Sequence, residues 1–228
     1  MENKAINAFR SVFATRAVMA VLALTFTLTL VAPLGATIIG PGGSGGLTDD
    51  TTNTNFTLID WVVDSGTATP ANFTADTIAA VILDNDTDQL GFFWQVKNAA
   101  NSKDPIMRLT AIGFSGFITD FVYRTDDFGM PGTFVAGGPT PTTATRSLSG
   151  DTLGFYMPIP TGIPQASTSV IMGAWTNAHY YDVAVSSLID GGVMNFKSFA
   201  PGVPEPSTYV LLGSALLGLA IYGRRRRV

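Results

Sequence analysis

Three aspartates alternate in Asp84-Asn85-Asp86-Thr87-Asp88 and bring three carboxylates close together in sequence. Oxygen donors at that spacing suit a hard cation such as calcium. The pattern departs from an EF-hand loop, which needs a Gly and a distant Glu after such a start; here Gln89-Leu90-Gly91-Phe92 runs straight into an apolar stretch. The same residues read first as an acidic hairpin turn, with the cation site as the alternative. Asp49-Asp50 and Asp126-Asp127 are shorter acidic pairs. His179 is the one histidine, so a single chain cannot build a multi-histidine metal site. With Asp182 and Ser186 or Ser187 it supplies the residue types of a nucleophilic triad. No nucleophile elbow accompanies them, and a lone His at a strand entry is expected to be structural. Asp126-Asp127-Phe128-Gly129 contains an Asp-Phe-Gly without the other kinase elements. No catalytic residue and no cofactor is assigned, and the chain is expected not to be an enzyme. The flat rings of Phe92, Phe93, Trp94, Phe155, Tyr156 and Trp175 would stack on sugar rings, which makes Trp94 and Trp175 candidate ligand contacts. Such rings more often fill the core of a β-sandwich.

Chemistry of another kind lies at the ends. Lys4, Arg10 and Arg16 precede an apolar run from Ala17 to Leu34, and Leu34-Gly35-Ala36 offers a small residue at a cleavage point before Thr37. That is the grammar of a signal peptide over residues 1–36. The run is also long enough to stay as an uncleaved anchor; Pro33, Gly35 and the glycines beyond them favour cleavage, and in either case the domain after it is exported.

At the other end, Pro204-Glu205-Pro206 is followed by Ser207-Thr208, an apolar stretch from Tyr209 to Tyr222, Gly223 and the arginines Arg224, Arg225, Arg226 and Arg227. A helix over the apolar stretch would be about 21 Å long, short of a hydrocarbon core of about 30 Å, so it would use Ser207, Thr208 and snorkelling arginines to span. The cationic cluster keeps that end cytoplasmic and places the preceding domain outside. Pro204 and Pro206 lack amide protons and hold the tripeptide extended at the membrane face, where a processing enzyme can bind it. These three ordered elements resemble the PEP-CTERM sorting signal. The resemblance implies recognition by a membrane-embedded exosortase with a Cys active site, removal of the tail, and release or attachment at the surface of a Gram-negative, exopolysaccharide-making cell. The implied partners are the secretion machinery, the exosortase, the inner membrane in passing, and exopolysaccharide. No Leu-Pro-x-Thr-Gly is present for a sortase, and the Ser214/Gly218 pair is given no role.

Between the ends, the elements that must position any site are short. Apolar runs bounded by Gly, Pro, Asn and Asp recur: Phe56 to Val63, Ile78 to Leu83, Leu90 to Val96, Ile106 to Phe114, Phe117 to Tyr123, Leu153 to Met157, Ser169 to Trp175, Tyr180 to Val185 and Val193 to Phe199. They predict an all-β, jelly-roll-like β-sandwich over residues 56–200, after a flexible leader over 37–55 and before the sorting signal of 201–228. Gly129 to Thr145 reads as a long surface loop. Leu90 to Val96 and Phe117 to Tyr123 alternate as half-buried strands do.

Composition narrows the partners. The 228-residue chain carries a formal charge of -4, but seven of its basic residues lie in the two ends. The middle keeps six Lys and Arg against fifteen Asp, a balance near -9. Such a surface repels phosphate backbones, so nucleic acid is not expected as a partner. With no cysteine, there is no disulfide, thiolate metal site or Cys nucleophile. Asn55-Phe56-Thr57, Asn72-Phe73-Thr74 and Asn85-Asp86-Thr87 match the glycan acceptor pattern.

Overall fold

The computed structural model describes residues 37–130 and 133–203, and among them there is no helix. The expected signal peptide, transmembrane helix, Pro204-Glu205-Pro206 and Arg224 to Arg227 lie outside the described residues. Among the described residues no helix is long and apolar enough to cross a membrane.

The nine apolar runs become nine strands: β3 (Phe56–Thr67), β4 (Thr74–Asp84), β5 (Gln89–Asn98), β6 (Arg108–Ala111), β7 (Thr119–Arg124), β9 (Leu153–Tyr156), β10 (Ile171–Thr176), β11 (Tyr181–Ile189) and β12 (Val193–Pro201). Three more are β1 (Ser44–Gly45), β2 (Thr48–Asp49) and β8 (Thr143–Arg146). They form two six-stranded sheets, ordered β1-β8-β9-β6-β11-β12 and β2-β7-β10-β5-β4-β3. All ladders are antiparallel except β2 on β7. The two sheets enclose one core and make a β-sandwich.

The core is aromatic. Phe92 and Trp94 of β5 meet Phe114, Trp94 also meets Phe155, and Phe155 meets Phe121, through edge-on and tilted ring contacts. Trp94 Nε1 donates to Ser198 Oγ at 2.7 Å, so a strand of one sheet is hydrogen-bonded to a strand of the other inside the sandwich. Burying the indole without that partner would leave its N–H unsatisfied.

A second apolar cluster lies on the outer face of the sheet that holds β5. Ala80, Ile82, Phe93, Val122 and Ile171 point outward there and are roofed by Phe128 and Phe134. Gln95 fixes the roof by accepting from the Val135 N–H at 2.9 Å and donating to its carbonyl at 2.6 Å. The expected half-buried alternation of Leu90 to Val96 is thereby corrected, since β5 is buried on both faces. Phe93 and Trp175 lie flat over glycines: a Cβ at Gly173 would overlap the Phe93 ring, and one at Gly91 would sit 2.5 Å from both rings. The roof also corrects the expected open loop over Gly129 to Thr145, because Phe134 is buried and the segment ends in β8.

Residues 37–55 are not a flexible leader outside the domain. They cross from one sheet to the other as a strap: β1 extends the first sheet beside β8, and β2 extends the second beside β7. Two buried arginines hold it. Arg146 donates to the carbonyls of Ile39, Phe114, Phe117 and Gly150. Arg124, wholly buried, donates from Nη1 to the carbonyls of Asp50 at 2.5 Å and Asn53 at 2.8 Å. These carbonyls lie outside the strands, and those of Asp50 and Phe114 also accept a turn N–H; the guanidinium forks tie them to the sheets in place of a ladder.

The remaining edges are β3 and β12; two aspartates of β3 reach across the sheets, Asp60 to β11 and Asp64 to β12. Asp60 accepts from the Trp61 N–H at 2.8 Å and from the Tyr181 hydroxyl at 3.1 Å. Asp64 accepts from the Ser65 N–H at 2.9 Å and, across the sheets, from the Lys197 N–H at 2.9 Å. Edge N–H groups that would template an incoming strand are thus occupied by carboxylates.

Candidate functional site

The acidic turn is a structural knot. Asp84 Oδ1 accepts from the Asp86 N–H at 2.9 Å, and the Asp88 N–H returns to the Asp84 carbonyl at 2.9 Å with Asp88 at φ 57. Asp86 Oδ1 takes the Asn55 side-chain amide at 2.5 Å, and Asn85 bonds both Asn55 and Thr57. The Asp84 and Asp86 carboxylates are therefore engaged within the turn, and Asp88 joins it through its backbone. Among the described residues no group of three His, Asp or Glu side chains is gathered to hold a metal ion. The acceptor asparagines Asn55 and Asn85 face each other across this knot, while Asn72 is turned onto the Asp190 carbonyl.

His179 closes the same end. Its Nδ1 donates to the Asp88 carbonyl at 2.7 Å. Ser187 donates to Asn195, and Ser186 is buried. Among the described residues no hydrogen bond joins His179 to either serine or to Asp182, so the residue types that spell a triad are not assembled into one.

The candidate sugar contacts are corrected by burial. Trp94 is 1% exposed inside the sandwich, with its rings and N–H already engaged, and has no face left for a ligand. Trp175 is half-buried, edge-on to Phe93 at 5.0 Å, and donates from Nε1 to Asp50 Oδ2 at 2.9 Å. The tryptophan that does present a face is Trp61 on the edge strand β3, 49% exposed between Ile59 and Val63, which are also exposed. Its run reads in sequence as an ordinary strand; only the edge position of β3 distinguishes it.

Three perturbed carboxylates, Asp50, Asp120 and Asp126, lie beside the strap and Arg124. Arg124 grips Asp126 through Nε at 2.9 Å and Nη2 at 2.7 Å, and its Nη1 lies 3.6 Å from Asp50 Oδ2. The guanidinium also stacks on Phe128 at 4.2 Å and on Phe56 at 5.2 Å. The Arg124 hydrogen bonds hold the Asp126 carboxyl below the usual carboxylate range. Asp50 is pushed up by burial, against the pull of Trp175 and Arg124. Asp120 on β7 is pushed up to about 6, first by burial and then by the charge of Asp50. A buried arginine bracketed by carboxylates and rings has the look of a site. Its donors all end on protein oxygens, so it is a clamp on the strap.

What remains is the exit of the chain. β12 ends at Pro201, the Gly202 N–H donates to the Tyr180 carbonyl at 2.8 Å, and Val203 is exposed. The fold and its chain exit define a β-sandwich that hands its C-terminus outward from an edge strand. Residues 202–227 match the family described as the PEP-CTERM protein-sorting motif, so the segment that leaves β12 is a sorting signal. No curated protein and no solved structure matches the chain.

Proposed function

We propose that this chain is an exported bacterial protein whose β-sandwich is carried across the inner membrane behind a signal peptide. It is held there by its C-terminal helix and freed or attached at the surface by an exosortase acting at Pro204-Glu205-Pro206. The observation that carries the reading is the sorting motif beginning at residue 202, one position after β12 ends. Pro204 follows Pro201 by at most about 10 Å of extended chain, so on this reading the exosortase acts close to the folded domain. Arg224 to Arg227 orient the helix with its cationic end inside. Outside the cell the domain serves a structural or interaction role in the exopolysaccharide matrix, with no catalytic activity of its own. Its acidic, cysteine-free surface and its sealed sheet edges support that role: it stays dispersed and does not pair strand to strand.

The test is to express the full chain in a host with and without its exosortase. With the enzyme, a form lacking the tail accumulates at the surface or in the medium; without it, or with Pro204, Glu205 and Pro206 changed to Ala, the full-length form stays in the membrane fraction. Equal processing in both hosts sinks the reading.

Trp61 favours one alternative, a carbohydrate-binding domain in which the exposed indole stacks on a sugar ring of the matrix. Calorimetric titration of the exopolysaccharide against the wild type and Trp61→Ala separates the two, with and without calcium for the Asp84, Asp86 and Asp88 turn. No heat in any combination removes the alternative.

A further inference from the structure

We propose that cleavage between Ala36 and Thr37 leaves the new α-ammonium of Thr37 paired with the Asp120 carboxylate, so that loss of the signal peptide locks the strap onto β7. This rests on the export reading, in which the signal peptide ends at Ala36.

The geometry around Thr37 carries it. Its nitrogen donates to Asp120 Oδ1 at 2.5 Å, and its carbonyl accepts from the Phe121 N–H at 3.1 Å. Ile38 forms a β-bridge with Asp120, and the Ile39 N–H reaches the Thr119 carbonyl at 3.3 Å. The Thr37 hydroxyl lies 2.7 Å from that of Thr48 on β2. Residue 37 is thereby fixed on both sides of its α-carbon, with the nitrogen aimed at a carboxylate. That nitrogen is the atom a signal peptidase would set free.

Asp120 is otherwise poorly served. The ion pairs of the described residues all belong to Arg124, with Asp50 and Asp126, and none reaches Asp120. The charge that faces it is Asp50, of its own sign, and across the ladder it meets Trp175 of β10, which is neutral. Burial and that neighbour push its carboxyl up to about 6, against the pull of the single neutral amide of Thr37. An ammonium in place of the amide supplies the missing opposite charge and a charge-assisted hydrogen bond.

The step balances as ordinary peptide hydrolysis by a membrane signal peptidase. One water adds across the Ala36–Thr37 bond. Its oxygen joins the Ala36 carbonyl carbon as carboxylate, and its two protons join the amide proton on the Thr37 nitrogen to make the ammonium.

The test uses the full chain exported from a bacterium that carries its signal peptidase. Trace acetylation with acetic anhydride at graded pH is read at the N-terminal peptide by mass spectrometry. The terminus is expected at Thr37, with its amine titrating above the ordinary range of roughly 7.7–8.0 for an α-amine. At pH 8 it should react about tenfold more slowly than in Asp120→Asn protein. A terminus at any other residue, Met1 included, overturns both the cleavage site and the ion pair. A Thr37 amine that titrates within or below the ordinary range, and reacts equally in both proteins, overturns the ion pair alone and leaves the export reading standing. Should Asp120→Asn fail to accumulate, the wild-type titration decides the matter by itself.

Discussion

Replacing Arg124 with methionine keeps a long apolar stem against Phe56 and Phe128 and removes only the guanidinium. In its place are left two strap carbonyls, those of Asp50 and Asn53, and two carboxylates, Asp50 and Asp126, that had shared its charge. Breaking a buried ion pair from one side costs about 3–5 kcal/mol, because the orphaned charge stays behind. Solvent reaches Asp126, whose side chain is 40% exposed, so its share is small and the cost should lie near the bottom of that range. For a domain of this size about 3 kcal/mol lowers the melting temperature by roughly 6–12 °C. The loss should concentrate on the strap. Limited thermolysin digestion of Arg124→Met is therefore expected to cut first between residues 38 and 47, at a lower temperature than the global melt, while the wild type resists. A second substitution, Asp126→Asn with Arg124 retained, should cost less than the arginine change. If Arg124→Met melts within 1 °C of wild type, or melts early with the strap still uncut, the guanidinium is not what holds residues 50–53 and the reasoning fails.

The same contacts set further outcomes. Gly173→Ala pushes a methyl into the Phe93 ring and should destabilise by about 1–3 kcal/mol in a denaturant titration, whereas Gly46→Ala, with open space around it, should change little. Trp94→Phe removes the hydrogen bond to Ser198 and part of the ring volume, with an expected cost of about 2 kcal/mol that Ser198→Ala should partly duplicate and not add to. In the unprocessed chain Asp120 has a folded pKa raised from 3.8 to about 6, so its contribution is fully present below 3.8 and is lost as pH rises through 6. Relative to Asp120→Asn, the stability of that form should fall across this window, and thermal melts from pH 3 to 8 check the sign. Asp60→Asn combined with Asp64→Asn weakens the acceptors on the β3 edge and should raise concentration-dependent association measured by light scattering, with Trp61 quenched as it does so.

The strands that came through the sequence are those that bury a run of apolar side chains. Period-two patterning and the turn residues between runs placed β3 to β7 and β9 to β12. β1, β2 and β8 left no such trace. They have two to four residues each and little apolar content, and β1 and β2 find their partners far along the chain. The strap is held by guanidinium-to-carbonyl bonds from Arg124 and Arg146, and no local pattern announces that a side chain will bond the backbone of a segment about 70 to 107 residues away. Faces were harder than strands. β5 is apolar on both sides because a second cluster roofs it, so alternation could not say that Trp94 points inward. On β3 the register shifts between Leu58 and Asp60, which puts Leu58 and Trp61 on the same side and defeats an odd-even count. The sorting tail was legible because its parts stand in a fixed linear order and need no tertiary partner.

The strap is also the earliest part of the domain to be synthesised, yet Ser44 finds its ladder partner only at Thr145 and Ile39 its guanidinium only at Arg146. Both sheets stay unfinished on that side until more than half the polypeptide has been made. A chain threaded through a narrow channel with its leading end still waiting for a distant partner cannot jam the pore with a finished domain. On the proposed export route, the sandwich closes only after the last of these partners has passed through the bilayer.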